Sequence, residues 1–409
     1  MTTPLCRSCG NPLEVTVVDL GLQPLSNAYL EPGTEAAEGF YPLHARFCTE
    51  CFLVQVDDVV PPEEIFGDYA YFSSFSDSWL AHARAFTSAM IERFDLDGNS
   101  FVVEVASNDG YLLRNFVEQA VPALGIEPAA NVAATAIAAG IPTEVRFFGL
   151  ATAEEVAANR GRADLIVANN VFAHVPDLND FIRGFAALVA ADGVISIEVP
   201  HLLRLVERAE FDTIYHEHYS YYSLLAAQSA LARHGLRVFD VEELATHGGS
   251  LRIFATPNSS GRATSDRVEQ VLGLERAAQL DRPEGFADLA ARAADCRDGL
   301  LAFLEGARDR GEQVVAYGAA AKGNTLLNYV GATPDMIAYV ADRNPRKQDR
   351  LLPGTHIPVV DPSRIEADKP PFVLVLPWNL GEEITGQLSV VRSWGGRFLV
   401  AVPTLRELE

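Results

Sequence analysis

Apolar and polar positions change period several times along the chain, and each change marks an element. The first sixty or so residues give short extended pieces broken by turn signals such as Gly10-Asn11-Pro12 and Glu31-Pro32-Gly33. Their apolar content is modest for an independent core, which calls for a staple, and Pro61-Pro62 reads as a linker. From Asp77 to Phe94 apolar residues return at helical spacing. The run SFVVEVASNDGYLLRNF then switches period: Phe101 to Val105 reads as a buried strand, a glycine-containing turn follows, and a helix starts near Tyr111. The same rhythm recurs at ALGIEPAANVAATA, ADLIVANNVFAHV and GVISIEVP. Alternating strands and helices of this length predict an α/β unit, doubly wound, with a parallel sheet covered on both faces. Residues 201–260 are richer in aromatics and histidine. One long helical stretch is expected from about Thr264 to Gly311. The segments QVVAYGAAAKGNTLL, MIAYVADRNPRKQ, FVLVLPWN and RFLVAVP then restart the strand rhythm as a second, smaller α/β unit. The expected division is 1–62, 63–260 and 261–409, with no internal repeat.

A length of 409 residues suits two or three domains, and 48% hydrophobic with 21% charged residues excludes a disordered or fibrous chain. The formal charge of −23 excludes a general nucleic-acid binder, which needs a broad basic surface. An anionic ligand would have to be held by local donors against that field. The start MTTPLCRSCG lacks the apolar core of a signal peptide, and no uncharged apolar run reaches the ~18 residues of a membrane span. The expectation is a soluble cytoplasmic protein without membrane or nucleic-acid partners; oligomeric state is not legible.

Five cysteines are too few for a disulfide scaffold, but four form two C-x-x-C pairs, Cys6/Cys9 and Cys48/Cys51. Two such knuckles supply the four thiolates of a tetrahedral zinc site in a module short of core. Four ligands fill the shell, so the expected zinc is structural.

The first strand of the central unit carries Glu104 near its end and leads through Ala106, Asn108 and Gly110 into a helix. The second strand ends in Glu127-Pro128, where an acid pairs with ribose hydroxyls. The G-x-G-x-x-G pattern that admits a pyrophosphate is missing. A cofactor with a ribose and no phosphate fits, and the sulfonium of S-adenosylmethionine also suits an acidic surrounding. Asn169 and Asn170 end the next strand, where open α/β sheets bind ligands. Ahead of this unit, Tyr69-Ala70-Tyr71-Phe72-Ser73-Ser74 reads as a lid, with Ser74 towards the cofactor and Tyr71 towards the substrate, or as aromatic packing between modules.

The segment Phe211 to Ser223 concentrates Tyr215, His216, Glu217, His218, Tyr219, Tyr221 and Tyr222. His216 and His218 would face opposite sides of an extended segment, which disfavours a shared metal. A histidine base and a tyrosine donor to a developing oxyanion fit better. His174, just beyond the two asparagines, lies on the same side of the sheet. In the C-terminal unit, Gly318 to Gly323 can cradle phosphate, and Lys322 adds a charge.

These residues together resemble the sugar C-methyltransferases of deoxysugar biosynthesis in antibiotic pathways, over nearly the whole chain. The likeness rests on the paired C-x-x-C module, Asn108-Asp109-Gly110, A-N-N-x-x-x-H-V-P at 168–176, Y-x-E-H at 215–218, His247-Gly248-Gly249, and Y-G-A-x-A-K at 317–322. It implies a small N-terminal zinc-binding module, a central S-adenosylmethionine methyltransferase fold and a C-terminal Rossmann-like domain. It also implies methyl transfer to carbon in a nucleotide-linked 4-keto sugar, TDP being the expected nucleotide. By that likeness His218, Tyr215, Glu217, His174 and Tyr69 are catalytic candidates, and Lys322, Tyr71, Tyr222 and His247 substrate candidates. The lead into the loop, Glu198 to Leu203, departs from the family and leaves the sugar and C-3 versus C-5 open. Rival readings are a methyltransferase on another activated ketone or hydroxyl, a non-catalytic zinc- or nucleotide-binding module, and an NAD dehydrogenase, against which the loop GAAAKG counts.

Overall fold

The computed structural model describes residues 3–57, 60, 61, 73–75 and 77–409. The N-terminal unit is an antiparallel meander of β1 (Val15–Gln23), β2 (Tyr41–Phe47) and β3 (Val54–Val56). Alternation in β2 buries Leu43, Ala45 and Phe47. Each knuckle closes with a left-handed residue four positions after its first cysteine, Gly10 (φ 76°) and Phe52 (φ 65°). Their amides donate to the Cys6 and Cys48 carbonyls at 2.8 and 2.9 Å. Phe52 is strained there, and its stacking on Phe47 (centroids 6.5 Å apart) offsets part of that cost.

The central unit runs α1 (Asp77–Phe94), β4 (Val102–Val105), α2 (Leu113–Glu118), β5 (Ala123–Ile126), α3 (Ala130–Ala138), β6 (Thr143–Glu144), α4 (Leu150–Arg160), β7 (Ala163–Asn169), α5 (Leu178–Leu188), β8 (Val189–Pro200), α6 (Leu202–Arg208), β9 (Ser220–Tyr221), α7 (Leu224–Ala232), β10 (Leu236–Leu244) and β11 (Ser250–Pro257). Its seven-stranded sheet has the order β10-β11-β8-β7-β4-β5-β6, and β4 to β8 are parallel. Only β11 runs against its neighbours. The chain winds outward in both directions from β4 and β7, so a ligand crevice opens above their carboxyl ends. The short strand β9 leaves this unit and pairs with β3, Val54 opposite Tyr221 and Gln55 opposite Ser220. The meander therefore gains its fourth strand from the Tyr-His segment.

The C-terminal unit begins with α8 (Asp266–Ala277) and α9 (Leu289–Asp309). The single helix expected over 264–311 is thus two. Pro283 has no N–H to continue a helix, and a Cβ on Gly285 would lie 2.4 Å from the Gln279 carbonyl. There follow β12 (Val314–Tyr317), α10 (Ala321–Val330), β13 (Val340–Ala341), β14 (Val359–Val360), α11 (Ser363–Asp368), β15 (Phe372–Val375), α12 (Gly381–Gln387), β16 (Arg397–Val400) and β17 (Arg406–Leu408). The sheet order is β14-β13-β12-β15-β16-β17, parallel except for β17. One hydrophobic cluster runs through all three units. Ring contacts cross the junctions, Phe47 with Phe286 at 4.9 Å and Phe211 with Tyr329 at 5.5 Å.

Candidate active site

The turn after β4 takes three left-handed residues, Ala106 (φ 56°), Asn108 (φ 52°) and Gly110 (φ 76°). Glu127, at the tip of β5, holds it: Oε2 accepts from the Asn108 N–H and Oε1 from the Ala129 N–H, both at 2.9 Å. Pro128, half-buried, continues that tip. The Asn108 side chain accepts from the Ser73 N–H (2.9 Å) and Asp109 from the Ser74 N–H (3.2 Å), so Ser73 and Ser74 lie on the turn. Asn169 stands beside Glu198 in register, and Asn170 (φ 55°) donates its N–H to the Glu198 carbonyl at 2.8 Å. Glu104 Oε2, Asp109 Oδ1, Asn169 Oδ1 and Asn170 Nδ2 are buried and find no partner among the described residues. Burial, then the nearby Glu127 and Asp109 carboxylates, push the Glu104 carboxyl well above its ordinary range.

The Tyr-His segment carries the second set of groups. His218 Nδ1 donates to the Thr213 carbonyl at 2.9 Å, which leaves Nε2 as the lone-pair nitrogen. The Tyr215 hydroxyl donates to that nitrogen at 2.8 Å. His174 packs edge-on against His218, with centroids 4.7 Å apart, and is hydrogen-bonded to the Glu217 backbone. Desolvation lowers the His174 pKa to about 4, so the ring is neutral near pH 7. The two histidines of H-x-H diverge: His216 Nε2 lies 3.2 Å from the Pro42 carbonyl of the N-terminal unit. Glu217 also turns to that unit and accepts from Asn27 Nδ2 at 2.6 Å. Its burial raises its pKa to about 7, against the pull of Asn27 and Lys347.

The structure draws other candidates elsewhere. Tyr222 is in the core: its ring stacks on Phe172 at 4.5 Å and its hydroxyl donates to the Phe172 carbonyl at 3.2 Å. No face of it is left for a substrate. Lys322 donates to Asn379 Oδ1 at 2.7 Å and lies over the Trp378 ring at 4.3 Å, with the Asp212 and Glu210 carboxylates nearby. Its charge is therefore partly balanced within the protein. The His247 backbone lies in the turn Thr246–Gly248, and its side chain is outside the described residues, as are Tyr69 and Tyr71. Gly248 (φ 92°) is needed there, because a Cβ would come 2.8 Å from both Glu210 Oε1 and Trp378.

The cysteine pairs converge. Their four sulfurs lie within 4.8 Å of one another, with Cys6–Cys51 at 3.5 Å and Cys9–Cys48 at 3.4 Å. Tetrahedral zinc with ~2.3 Å bonds to sulfur sets its ligands about 3.8 Å apart. The four thiols therefore fit a closed, structural zinc site, and Gln55 Nε2 donates to Cys6 Sγ at 3.1 Å as an outer support.

Family models match the chain in three parts: a zinc binding domain over residues 6–66, a methyltransferase domain over 79–241, and a C-methyltransferase C-terminal domain over 245–403. The C-methyltransferase NovU of Streptomyces niveus is 34% identical over 402 residues, 98% of this chain and 96% of that protein. The chain belongs to the C-methyltransferase family. Among solved structures, the 1,6-didemethyltoxoflavin-N1-methyltransferase of Burkholderia thailandensis is 16% identical, covering 50% of this chain and 94% of that one with a TM-score of 0.36. The magnesium protoporphyrin IX methyltransferase of Synechocystis PCC 6803 is 13% identical, covering 48% and 88% with a TM-score of 0.33.

This C-methyltransferase uses S-adenosylmethionine, and the residues at the crevice fit it. The open atoms there are three acceptors and one donor, a set suited to an ammonium, a sulfonium and ribose hydroxyls and unsuited to phosphate. Sequence reasoning missed the neighbouring Glu198. It pairs with Arg252 Nη2 at 3.0 Å and His82 Nε2 at 3.2 Å and accepts from the Thr246 hydroxyl at 3.2 Å. Burial pushes its pKa up, but His82 and Arg252 outweigh that and hold the carboxyl below its ordinary range. Its position two residues from a strand end was the available signal. Among the described residues, no helix of this C-methyltransferase is long and apolar enough to cross a membrane.

Proposed function

We propose that the protein methylates the carbon beside the ketone of a nucleotide-linked 4-keto deoxysugar, at C-3, by way of an enolate. The observation that carries this reading is the Tyr215–His218 pair, with its 2.8 Å bond and its tautomer set by Thr213. A carbon is a poor nucleophile until it loses a proton, and a neighbouring ketone makes that loss feasible. The separation of the Tyr215 hydroxyl from His218 Nε2 matches that of a carbonyl oxygen from the proton on the adjacent carbon. When the ketone draws the Tyr215 hydroxyl to its oxygen, Nε2 is bared and takes the carbon-bound proton. The electron pair of that C–H bond passes into the enolate, which makes this carbon the nucleophile for methyl transfer.

A bound S-adenosylmethionine would supply an electrophilic methyl, the electron pair of the broken carbon–sulfur bond staying on sulfur as a neutral thioether, and Glu104, Asp109, Glu127, Asn169 and Asn170 would hold it at the crevice. His174 is neutral and braces the His218 ring. The Thr213 carbonyl, not Glu217, orients the imidazole, and with one Glu217 oxygen on Asn27 the other would take a sugar hydroxyl. The diphosphate, of TDP by preference, is assigned to the loop 318–323, which carries Lys322. Neighbouring support comes from Lys347, which donates to the Ala319 carbonyl at 2.6 Å.

The test is methylation, together with solvent deuterium exchange at C-3, on TDP-linked 4-keto sugars. His218→Ala should lower both by 10²- to 10⁴-fold, the usual worth of a positioned base, and Tyr215→Phe by less. Cofactor affinity by calorimetry should stay unchanged in each. Wild-type rates in both variants would remove the assignment.

A further inference from the structure

The segment that carries Tyr215 and His218 has little structure of its own. Between α6 and α7 it forms only a short turn at Phe211–Thr213 and the two-residue strand β9. Its position must come from its neighbours, and several of these lead back to one side chain in the first metal knuckle.

We propose that Arg7 is a positioning residue for the reaction: it transmits the geometry of the metal-loaded knuckle to the Tyr215–His218 pair. The catalytic half of this proposal rests on the proton-abstraction reading above. The Arg7 main chain is fixed from both sides. Its N–H donates to Gln55 Oε1 at 2.9 Å, and Gln55 in turn donates to Cys6 Sγ at 3.1 Å. The Arg7 and Ser8 carbonyls accept from Asn179 Nδ2 of α5 at 2.9 and 3.2 Å.

The guanidinium then reaches out of the knuckle. Nη2 donates to the Val56 carbonyl at 2.5 Å, Nη1 donates to the Pro176 carbonyl at 3.1 Å, and the group lies over the Tyr219 ring at 5.2 Å. Each contact borders a catalytic candidate. Pro176 lies two residues after His174, and Tyr219 directly follows His218. Val56 donates its N–H to the Tyr219 carbonyl at 3.1 Å, which continues into the β3–β9 pairing. Tyr221 of β9 accepts the Tyr215 N–H on its hydroxyl at 3.3 Å. One planar cation thus ties the knuckle, the end of β3, the turn after His174 and the residue beside His218. A lysine ammonium cannot span two carbonyls in a fork and stack on a ring as well.

The test uses full-length, zinc-loaded Arg7→Ala and Arg7→Lys. Zinc content should stay at one per chain and cofactor affinity within twofold of wild type. Amide exchange over residues 215–222 should rise at least tenfold in Arg7→Ala while that of 104–110 stays unchanged. The value of kcat should fall by about 10- to 100-fold, as for other outer supports of a site, with KM little altered, and Arg7→Lys should restore only a minor part. Unchanged exchange over 215–222 with zinc in place overturns the proposal, and so does a loosened loop with kcat intact. If Arg7→Ala releases zinc, Asn179→Ala frees the two knuckle carbonyls without touching a metal ligand, and is read the same way. If the wild-type protein methylates no 4-keto sugar, the proposed substrate fails, while the exchange data still decide whether Arg7 holds the loop.

Discussion

The cofactor turn and the Tyr-His loop are both irregular backbone with buried acids, and they are held in opposite ways. The turn at 104–110 is fixed by its own βαβ unit. Ala106 donates to the Ile126 carbonyl at 2.8 Å, Asn108 to Glu127 at 2.9 Å and Gly110 to the Ser107 carbonyl at 3.1 Å, all within about twenty residues of chain. The loop at 211–222 is fixed from far away: by β3, Pro42 and Asn27 of the N-terminal unit, and by Trp378, whose Nε1 donates to Asp212 at 2.8 Å. Binding of the cofactor is thus a property of one unit, whereas the chemistry depends on all three.

The largest effect expected from this difference follows loss of the metal. Binding of zinc to a four-thiolate site is folding free energy, ~10–16 kcal/mol in small zinc modules. Cys48→Ser should empty the site, unravel the meander and release β9 from β3. Methylation should fall by more than about 100-fold, while calorimetry should find cofactor affinity within about threefold of wild type. Cofactor binding that falls in step with activity would break the contrast between the two regions.

A middle-sized effect sharpens the cofactor side. Burial, then Glu127 and Asp109, keep the Glu104 pKa well above the ordinary carboxylate range, so the free protein holds this proton to a higher pH than an ordinary carboxyl does. A cation bound beside it favours the carboxylate, so binding of S-adenosylmethionine should release a proton. Calorimetry in buffers of different ionisation enthalpy should give a sloping binding heat for wild type and a flat one for Glu104→Gln. Equal slopes would place the sulfonium or ammonium away from Glu104.

What the sequence could reveal follows the same division. Glu104, Glu127, Asn169 and Asn170 stand at strand ends, and the change from strand to helix period marks those ends. The cysteine pairs were legible because metal geometry demands their spacing. The loop was legible only in composition. Two residues of β9 carry no period, and Tyr222 looks like its polar neighbours until Phe172, fifty residues earlier in the chain, claims its ring and hydroxyl. Arg7 and Asn27 gave no signal, because their partners lie between 48 and 212 residues away. The break at Pro283 was present in the sequence, and helical composition on either side masked it.

The smallest effect concerns the far anchor of the loop, where the Phe211–Thr213 turn meets α10 and Trp378. Burial, then Asp212, raise Glu210 to about 8 against the pull of Lys322 and Arg208. Burial raises Asp212 to about 6 against Lys322 and the Trp378 hydrogen bond. Both folded values lie above the ordinary carboxylate range, so the folded chain binds more protons than the unfolded one between that range and about pH 8. Stability from these groups is present at low pH and is lost as pH rises through that window. Glu210→Gln mimics the protonated acid and removes the whole of the Glu210 loss, both below and above pH 7. The drop in Tm between pH 7 and pH 9 should therefore be smaller in the variant, by about 2 °C for a chain of this size, and the Tm at pH 7 should already lie above that of wild type, because most of the window falls below pH 7. The cofactor turn has no share in this anchor, so cofactor affinity should not differ between wild type and variant at either pH. An identical pH dependence of Tm in the two proteins would mean that Glu210 is ionised in the folded chain at neutral pH, with Lys322 outweighing its burial.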